Sequence, residues 1–221
     1  MVTVDYWSIS LKDLSETVTL YPLLSAEEKR RSLRFKFPEL QQRFILGRGK
    51  LRQILGCYLN QNPQDLEFIY GEYGKPFVQN ISFNFSHTKE LAFCAVTKEI
   101  SSLNLGIDIE IINRKTDPLA LAKRFFDPVE FQYLQSQSLE NQLTDFVRFW
   151  TAKEAYLKAL GTGLQGGLDQ VVIALTDQPS FQNSGAQDWT LKMFQPDAHH
   201  WGAIAVNTNS CEFRDCGEWI G

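Results

Sequence analysis

Apolar residues recur at alternate positions through Val2–Ser10, the period of a half-buried strand. Ser25-Ala26-Glu27-Glu28 then sets a serine three residues before a glutamate, the capping-box spacing that opens a helix toward Arg34. A longer helix is predicted next, with Pro38 in its first turn and Phe44, Ile45, Leu51, Ile54, Leu55 and Leu59 at near-helical spacing. Residues 66–70 and 91–97 read as strands, separated by a turn over 71–76 and by the segment Asn84-Phe85-Ser86-His87-Thr88. Leu103-Asn104-Leu105-Gly106-Ile107 alternates again and runs into Asp108. Residues 119–126 read as helical, Asp127-Pro128-Val129-Glu130 carries a second cap signature, and 143–160 is rich in helix formers and closed by Gly161. The tail returns to strands over 171–175, 189–194 and 201–206. The fold class this predicts is α+β, in two mixed halves that meet near residue 104.

The polar positions inside these elements carry the chemistry. In Gly106-Ile107-Asp108-Ile109-Glu110, side chains two apart on a strand share a face, so Asp108 and Glu110 aim together while Ile107 and Ile109 turn into a core. On the helix over 143–160, Glu154 and Lys158 are four apart and share a face, with Trp150 one turn earlier. Hard carboxylate oxygens in this number suit Mg²⁺, which takes one or two protein carboxylates and bridges to substrate phosphates. No thiolate or histidine cluster competes for a softer metal. Each part also has an ordinary reading, Glu154 with Lys158 as an exposed ion pair and Asp108 with Glu110 as a solvated strand end.

Three segments in order resemble the motifs of the Sfp-type 4′-phosphopantetheinyl transferases, the family that moves phosphopantetheine from coenzyme A onto a carrier-protein serine. Asn84-Phe85-Ser86-His87-Thr88 resembles the (N/F)-x-S-H-(S/T) element, and Gly106-Ile107-Asp108-Ile109-Glu110 resembles G-(I/V)-D-x-E. Phe149-Trp150-Thr151-Ala152-Lys153-Glu154-Ala155-Tyr156-Leu157-Lys158 resembles (F/W)-(S/C/T)-x-K-E-(A/S)-x-x-K. The resemblance implies two similar α+β subdomains, 1–104 and 105–221, related by a pseudo-two-fold with the active site between them. It implies Asp108, Glu110 and Glu154 as ligands of Mg²⁺, with Mn²⁺ as a substitute, Glu154 as the base for the acceptor serine, and Lys158 as partner of the leaving phosphate. Coenzyme A would be held at its 3′-phosphate by cations drawn from Arg31, Arg34, Arg43 and Arg48, with Ser86 and His87 adding donors. Tyr73, Gly74 and Lys75 resemble the segment that lines the adenine. The partner is an apo acyl or peptidyl carrier protein, for which Phe125, Phe126, Phe131 and Tyr133 are candidate docking residues or equally core. Glu28 departs from the pattern, standing where some relatives carry a phosphate-binding lysine, so that contact is expected to pass to Lys29 or Arg31.

Charge and composition narrow the rivals. The chain of 221 residues has a formal net charge of −4, which argues against a general nucleic-acid binder. Yet nine Lys or Arg against three Glu between Glu27 and Arg52 make that stretch a candidate anion-binding face. Cys57, Cys94, Cys211 and Cys216 form no Cys-x-x-Cys pair, and Cys94 lies in an apolar run as a buried thiol would. With no run of 18 apolar residues and no basic leader before an apolar core, a cytoplasmic, non-membrane protein is expected, and two subdomains in one chain suggest a monomer. A metal-dependent nuclease would want Glu-x-Lys beside its aspartate, whereas Glu110-Ile111-Ile112 lacks the lysine. A non-catalytic nucleotide-binding or carrier-binding module would tolerate loss of the acids, and all three are present. Ser86-His87 is not read as a hydrolase pair, because adjacent strand residues diverge.

Overall fold

The structure, a computed structural model, describes residues 1–99, 103–112, 115, 117–182 and 186–221. The first half runs β1 (Val2–Ser10), α1 (Thr17–Leu20), α2 (Ala26–Ser32), α3 (Pro38–Leu59), β2 (Ile69–Tyr70), β3 (Pro76–Phe77), β4 (Ser82–Thr88) and β5 (Leu91–Thr97). The second runs β6 (Leu105–Ile111), α4 (Pro118–Phe125), α5 (Pro128–Ser136), α6 (Leu139–Leu160), β7 (Ile173–Ala174), β8 (Ser180–Phe181), β9 (Thr190–Asp197) and β10 (His200–Val206). One more strand, β11 (Cys211–Glu218), pairs parallel to β1 and so returns the end of the chain to the first sheet. The sheets are β11-β1-β5-β4 and β6-β10-β9, with β2-β3 and β7-β8 as two-stranded hairpins. The α+β class therefore holds.

The main helices form where the patterning places them, and local chemistry explains the shifts. Ser25 Oγ accepts from Glu28 N while the Glu28 carboxylate accepts from Ser25 N, the full capping box of α2. The helix predicted over 143–160 begins earlier, at Leu139, because Ser138 Oγ accepts from Asn141 N and supplies an N-cap. It ends as expected on Gly161, whose φ of 76° is the left-handed cap conformation. The strands predicted over 66–70 and 171–175 shrink to two-residue pieces, because Leu66 and Val171 cap 3₁₀ turns and are buried in the core. β11 escaped prediction because its residues, CEFRDCGE, are mostly polar, as an edge strand permits.

The two sheets share an apolar layer. Val4, Tyr6 and Phe93 from the first meet Ile107, Ile109 and Ile204 from the second. This consumes one face of β6, so its other face, carrying Gly106, Asp108 and Glu110, turns toward α6. Each half also has its own core, built around α3 in one and α6 in the other. Phe126 is 5% exposed and stacks on Phe146, and Phe125, Phe131 and Tyr133 pack partly buried against the same cluster. Phe126 is thus a core residue, while Phe125, Phe131 and Tyr133 keep a partly exposed face.

Two buried charge networks tie helices to their turns. Lys153, 0% exposed, donates to the carbonyls of Leu168 and Val171 and pairs with Glu130 Oε2 at 2.6 Å. Glu130, 1% exposed, also accepts from Asp127 N and Ile173 N, so its oxygens are satisfied. Burial holds the Lys153 ammonium below its ordinary range and pushes the Glu130 carboxyl up, each opposed by the other's charge. In the first half, Arg52 Nε meets Glu28 Oε2 at 2.7 Å and its Nη1 donates to the carbonyls of Pro63 and Leu66. Glu28 is thus a structural residue, which accounts for its departure from the family pattern. Removing one partner of such a pair strands the other, so Lys153→Met is expected to cost about 3–5 kcal/mol of unfolding free energy in urea. Most of the loss should return in Lys153→Met/Glu130→Gln; an unchanged midpoint in the single variant would contradict the network.

Candidate active site

A cleft of ≈ 390 Å³ opens in the first half, walled by α3, the hairpin β2-β3 and β4. Arg31, Arg43, Arg48, Gly74 and His87 all line it, over an apolar floor that includes Phe44 and Phe85. Of the expected coenzyme A residues, these five are brought together. Arg34, Tyr73 and Lys75 are not on its wall, and Tyr73 is 51% exposed. Lys89, from the turn between β4 and β5, is a cation at the cleft that the motifs did not single out.

The basic stretch is less free than its composition reads. Arg43 pairs with Glu39 and Glu90, Arg48 with Glu28, Lys50 with Glu16, and Arg52 with Glu28. Glu16 and Glu90 lie outside the counted stretch, which is why the local charge count overstated it. Arg31 stacks on Phe44 and meets no carboxylate among the described residues, making it the most available guanidinium of the cleft. Lys29 instead donates to Pro22 O, away from the cleft.

Alternation along β4 sends neighbouring residues to different places. Phe85 and His87 face the cleft, while Ser82, Asn84 and Ser86 face β6. Ser82 Oγ accepts from Leu103 N at 3.1 Å, Asn84 Oδ1 accepts from Ile107 N at 3.0 Å, and Ser86 Oγ donates to Asp108 Oδ1 at 2.9 Å. These side chains join the edges of the two sheets where no backbone ladder connects them. His87 is held below the ordinary imidazole range, first by desolvation and then by the Lys158 charge, with Asp108 opposing.

Behind β4, β6 and α6 meet at Gly106. A Cβ on Gly106 would overlap the Ala155 carbonyl oxygen and stand 2.5 Å from Ala159 N, so only glycine allows this approach. The approach brings Lys158 Nζ to 2.6 Å from Asp108 Oδ1 and 2.8 Å from Ser86 Oγ. Glu154 lies one turn before Lys158 on α6, and Glu110 lies two residues after Asp108, cross-strand from Trp201.

Among the described residues no three His, Cys, Asp or Glu side chains are gathered as a metal-binding set. Asp108 pairs instead with Lys158, 2.6 Å from its Oδ1. The donor chemistry still fits Mg²⁺. The acids present hard oxygens, and Asp108 Oδ2 is buried with no hydrogen-bond partner among the described residues, a state that a bound cation would relieve.

Lys75 also departs from its expected place. Its ammonium donates to Leu105 O at 3.0 Å and Ala159 O at 2.7 Å, spanning the start of β6 and the end of α6. Burial lowers its pKa to about 8. Its role is to fasten the strand-helix junction rather than to reach into the cleft.

Asp108, Lys158 and Ser86 form a polar junction on one side of β4, and the arginine-lined cleft lies on the other. A profile of the 4′-phosphopantetheinyl transferase superfamily matches residues 104–209. The chain is 40% identical over 210 residues to the 4′-phosphopantetheinyl transferase HetI of Nostoc sp., covering 92% of this chain and 87% of that one. It is 31% identical over 181 residues to the 4′-phosphopantetheinyl transferase Sfp of Bacillus subtilis, covering 80% and 73%. The chain belongs to the 4′-phosphopantetheinyl transferase family.

Gly106→Ala should push α6 off β6 and part Lys158 from Asp108; a misplacement near 1 Å predicts at least an about 10²-fold drop in kcat/KM. Full activity in this variant would contradict the junction. For Lys75, the unfolded chain keeps its proton up to the ordinary lysine range while the folded protein releases it above about pH 8. Stability contributed by this group therefore rises with pH from about 8 to about 10. Urea midpoints of wild type and Lys75→Met should diverge in favour of wild type over that window, the comparison cancelling the opposite trend of Cys94, Tyr6 and Tyr58. A constant difference would contradict it.

Proposed function

We propose that the cleft and the junction form one active site that transfers 4′-phosphopantetheine from coenzyme A to a serine hydroxyl of an apo acyl or peptidyl carrier protein, releasing 3′,5′-ADP. The observation that carries this reading is β4 as a shared wall: His87 faces the arginine cleft from one side, while Ser86 meets Asp108 and Lys158 on the other. A ligand with a ribose 3′-phosphate and a pyrophosphate needs cations at one end and a metal-binding carboxylate group at the other. Arg31, Arg43, Arg48 and Lys89 are placed for the first, and His87 can donate to the same phosphate.

Asp108, Glu110 and Glu154 would hold Mg²⁺, with Mn²⁺ as a substitute; the ion supplies charge neutralisation to the pyrophosphate oxygens. The remaining work falls to positioning. The serine oxygen of the carrier attacks the β-phosphate, a Ser–O–P bond forms, and the bond to the α-phosphate oxygen breaks. Glu154 takes the serine proton, and Lys158 neutralises the charge left on 3′,5′-ADP.

A pseudo-two-fold between the halves is part of the reading. Strand orders β1-β5-β4 and β6-β10-β9 match. α3 and α6 are 22 residues each, and Arg52 and Lys153 occupy the same position in them. Each cation pairs with the N3 glutamate of the preceding capping box, Glu28 or Glu130. Each also binds the first residue and the C-cap of the following 3₁₀ turn, Pro63 with Leu66 or Leu168 with Val171. Residues 1–104 and 105–209 would be the two units, with β11 crossing back onto the first. Since one chain supplies both, a monomer suffices.

Incubation with coenzyme A, Mg²⁺ and an apo carrier protein should add one phosphopantetheine to the carrier, read by mass. Glu154→Ala should lower the rate by about 10²–10⁴-fold, as loss of a general base does. Asp108→Ala should abolish transfer with the fold retained. Wild-type turnover by either variant in excess Mg²⁺ would overturn the assignment.

A further inference from the structure

The basic stretch divides in two when each cation is followed to its partner. Arg43, Arg48, Lys50 and Arg52, all on α3, are paired with carboxylates. Lys29, Arg30, Arg31, Arg34 and Lys36, five cations in eight residues, meet no carboxylate among the described residues. Lys29 bends back to Pro22 O and Arg31 lies on Phe44 at the cleft, which leaves Arg30, Arg34 and Lys36 turned to solvent. Large apolar side chains share the segment: Leu33 is 69% exposed, Phe37 65% and Leu40 46%. Apolar residues scattered singly on a surface need no explanation, but three within eight residues, interleaved with unpaired cations, mark a contact surface.

The charge calls for an anionic partner, and the apolar side chains select among anionic partners. Leu33 and Leu40 have no ring to stack on a nucleic-acid base. A stable protein interface takes about 20–30 residues from each side, well beyond this one segment between α2 and the first turn of α3. A lipid surface needs no matching shape, because headgroup phosphates meet the cations while the apolar side chains sink among the acyl-chain ends.

We propose that residues 30–40 dock the protein on an anionic lipid surface, with Leu33, Phe37 and Leu40 entering it and Arg30, Arg34 and Lys36 on its phosphates. No helix of the described residues is long and apolar enough to cross a membrane, and the contact lies on the surface rather than through it. The sequence signals for spanning and export do not report on contacts of this kind. The docking does not depend on phosphopantetheinyl transfer.

Cosedimentation of the whole chain with vesicles tests it, using equal parts phosphatidylglycerol and phosphatidylcholine against phosphatidylcholine alone, in about 0.1 M salt. Wild type should pellet with the anionic vesicles only. Arg30→Gln/Arg34→Gln/Lys36→Gln should bind about 10²-fold more weakly, near five-fold for each lost cation. Leu33→Ser/Phe37→Ser, which keeps every charge and alters only exposed positions, should also lose binding with an unchanged circular dichroism spectrum. The proposal is overturned if wild type ignores anionic vesicles, or if the serine variant binds them like wild type, which would be adsorption by charge alone. Release of bound protein by saturating coenzyme A would overturn it too, since the headgroup would then occupy the cleft. So would indifference to vesicles joined to weaker binding of an apo carrier protein by both variants, which would make this a protein contact.

Discussion

The contact on which the site depends is backbone against backbone, β6 on α6 at Gly106, with no side chain between them. Helices usually stand off a sheet by the thickness of their side chains. Here the missing Cβ, facing the small residues Ala155 and Ala159, removes that spacing and draws the helix onto the strand. The side chains one step along, Asp108 on the strand and Lys158 on the helix, then meet at 2.6 Å. Lys75 secures the same junction from its end, donating to carbonyls of both elements.

Charge is handled in two ways in this molecule. Lys153 with Glu130 is a closed pair, shut from solvent and hydrogen-bonded to backbone, and Glu28 is shut in likewise between Arg52 and Arg48. Such buried pairs fix how elements join. The Asp108–Lys158 pair differs, because the lysine side chain is 30% exposed and the aspartate keeps one oxygen without a partner among the described residues. The electrostatics of the site are therefore incomplete where those of the scaffold are complete, which is what binding a charged substrate requires.

Much of this was legible in the residue pattern. The capping boxes, the Gly161 stop and the alternation of Asp108 and Glu110 with isoleucines each have local causes, and they appear as expected. What pattern could not reveal was non-local pairing. Lys75 read as a cleft residue because nothing nearby in sequence told that Leu105 O and Ala159 O would claim its ammonium. The positive stretch before Arg52 looked open because its neutralising partners Glu16 and Glu90 lie elsewhere in the chain. The strand period that separates Asp108 from Ile109 ruled out a Ser86-His87 hydrolase pair, but it was not carried on to send the two to different parts of the site. β4 itself hid behind polar residues whose purpose is to join two sheet edges.

The account's central claim is that the arginine cleft and the Asp108 junction hold opposite ends of one coenzyme A molecule. A crystal structure with coenzyme A and Mn²⁺ tests it most directly, through the anomalous signal of the metal and the density of the 3′-phosphate. The claim predicts the metal bonded to Asp108 Oδ2 and the 3′-phosphate within hydrogen-bond reach of Arg31 or His87. A metal away from Asp108, or a 3′-phosphate outside the cleft, would contradict it.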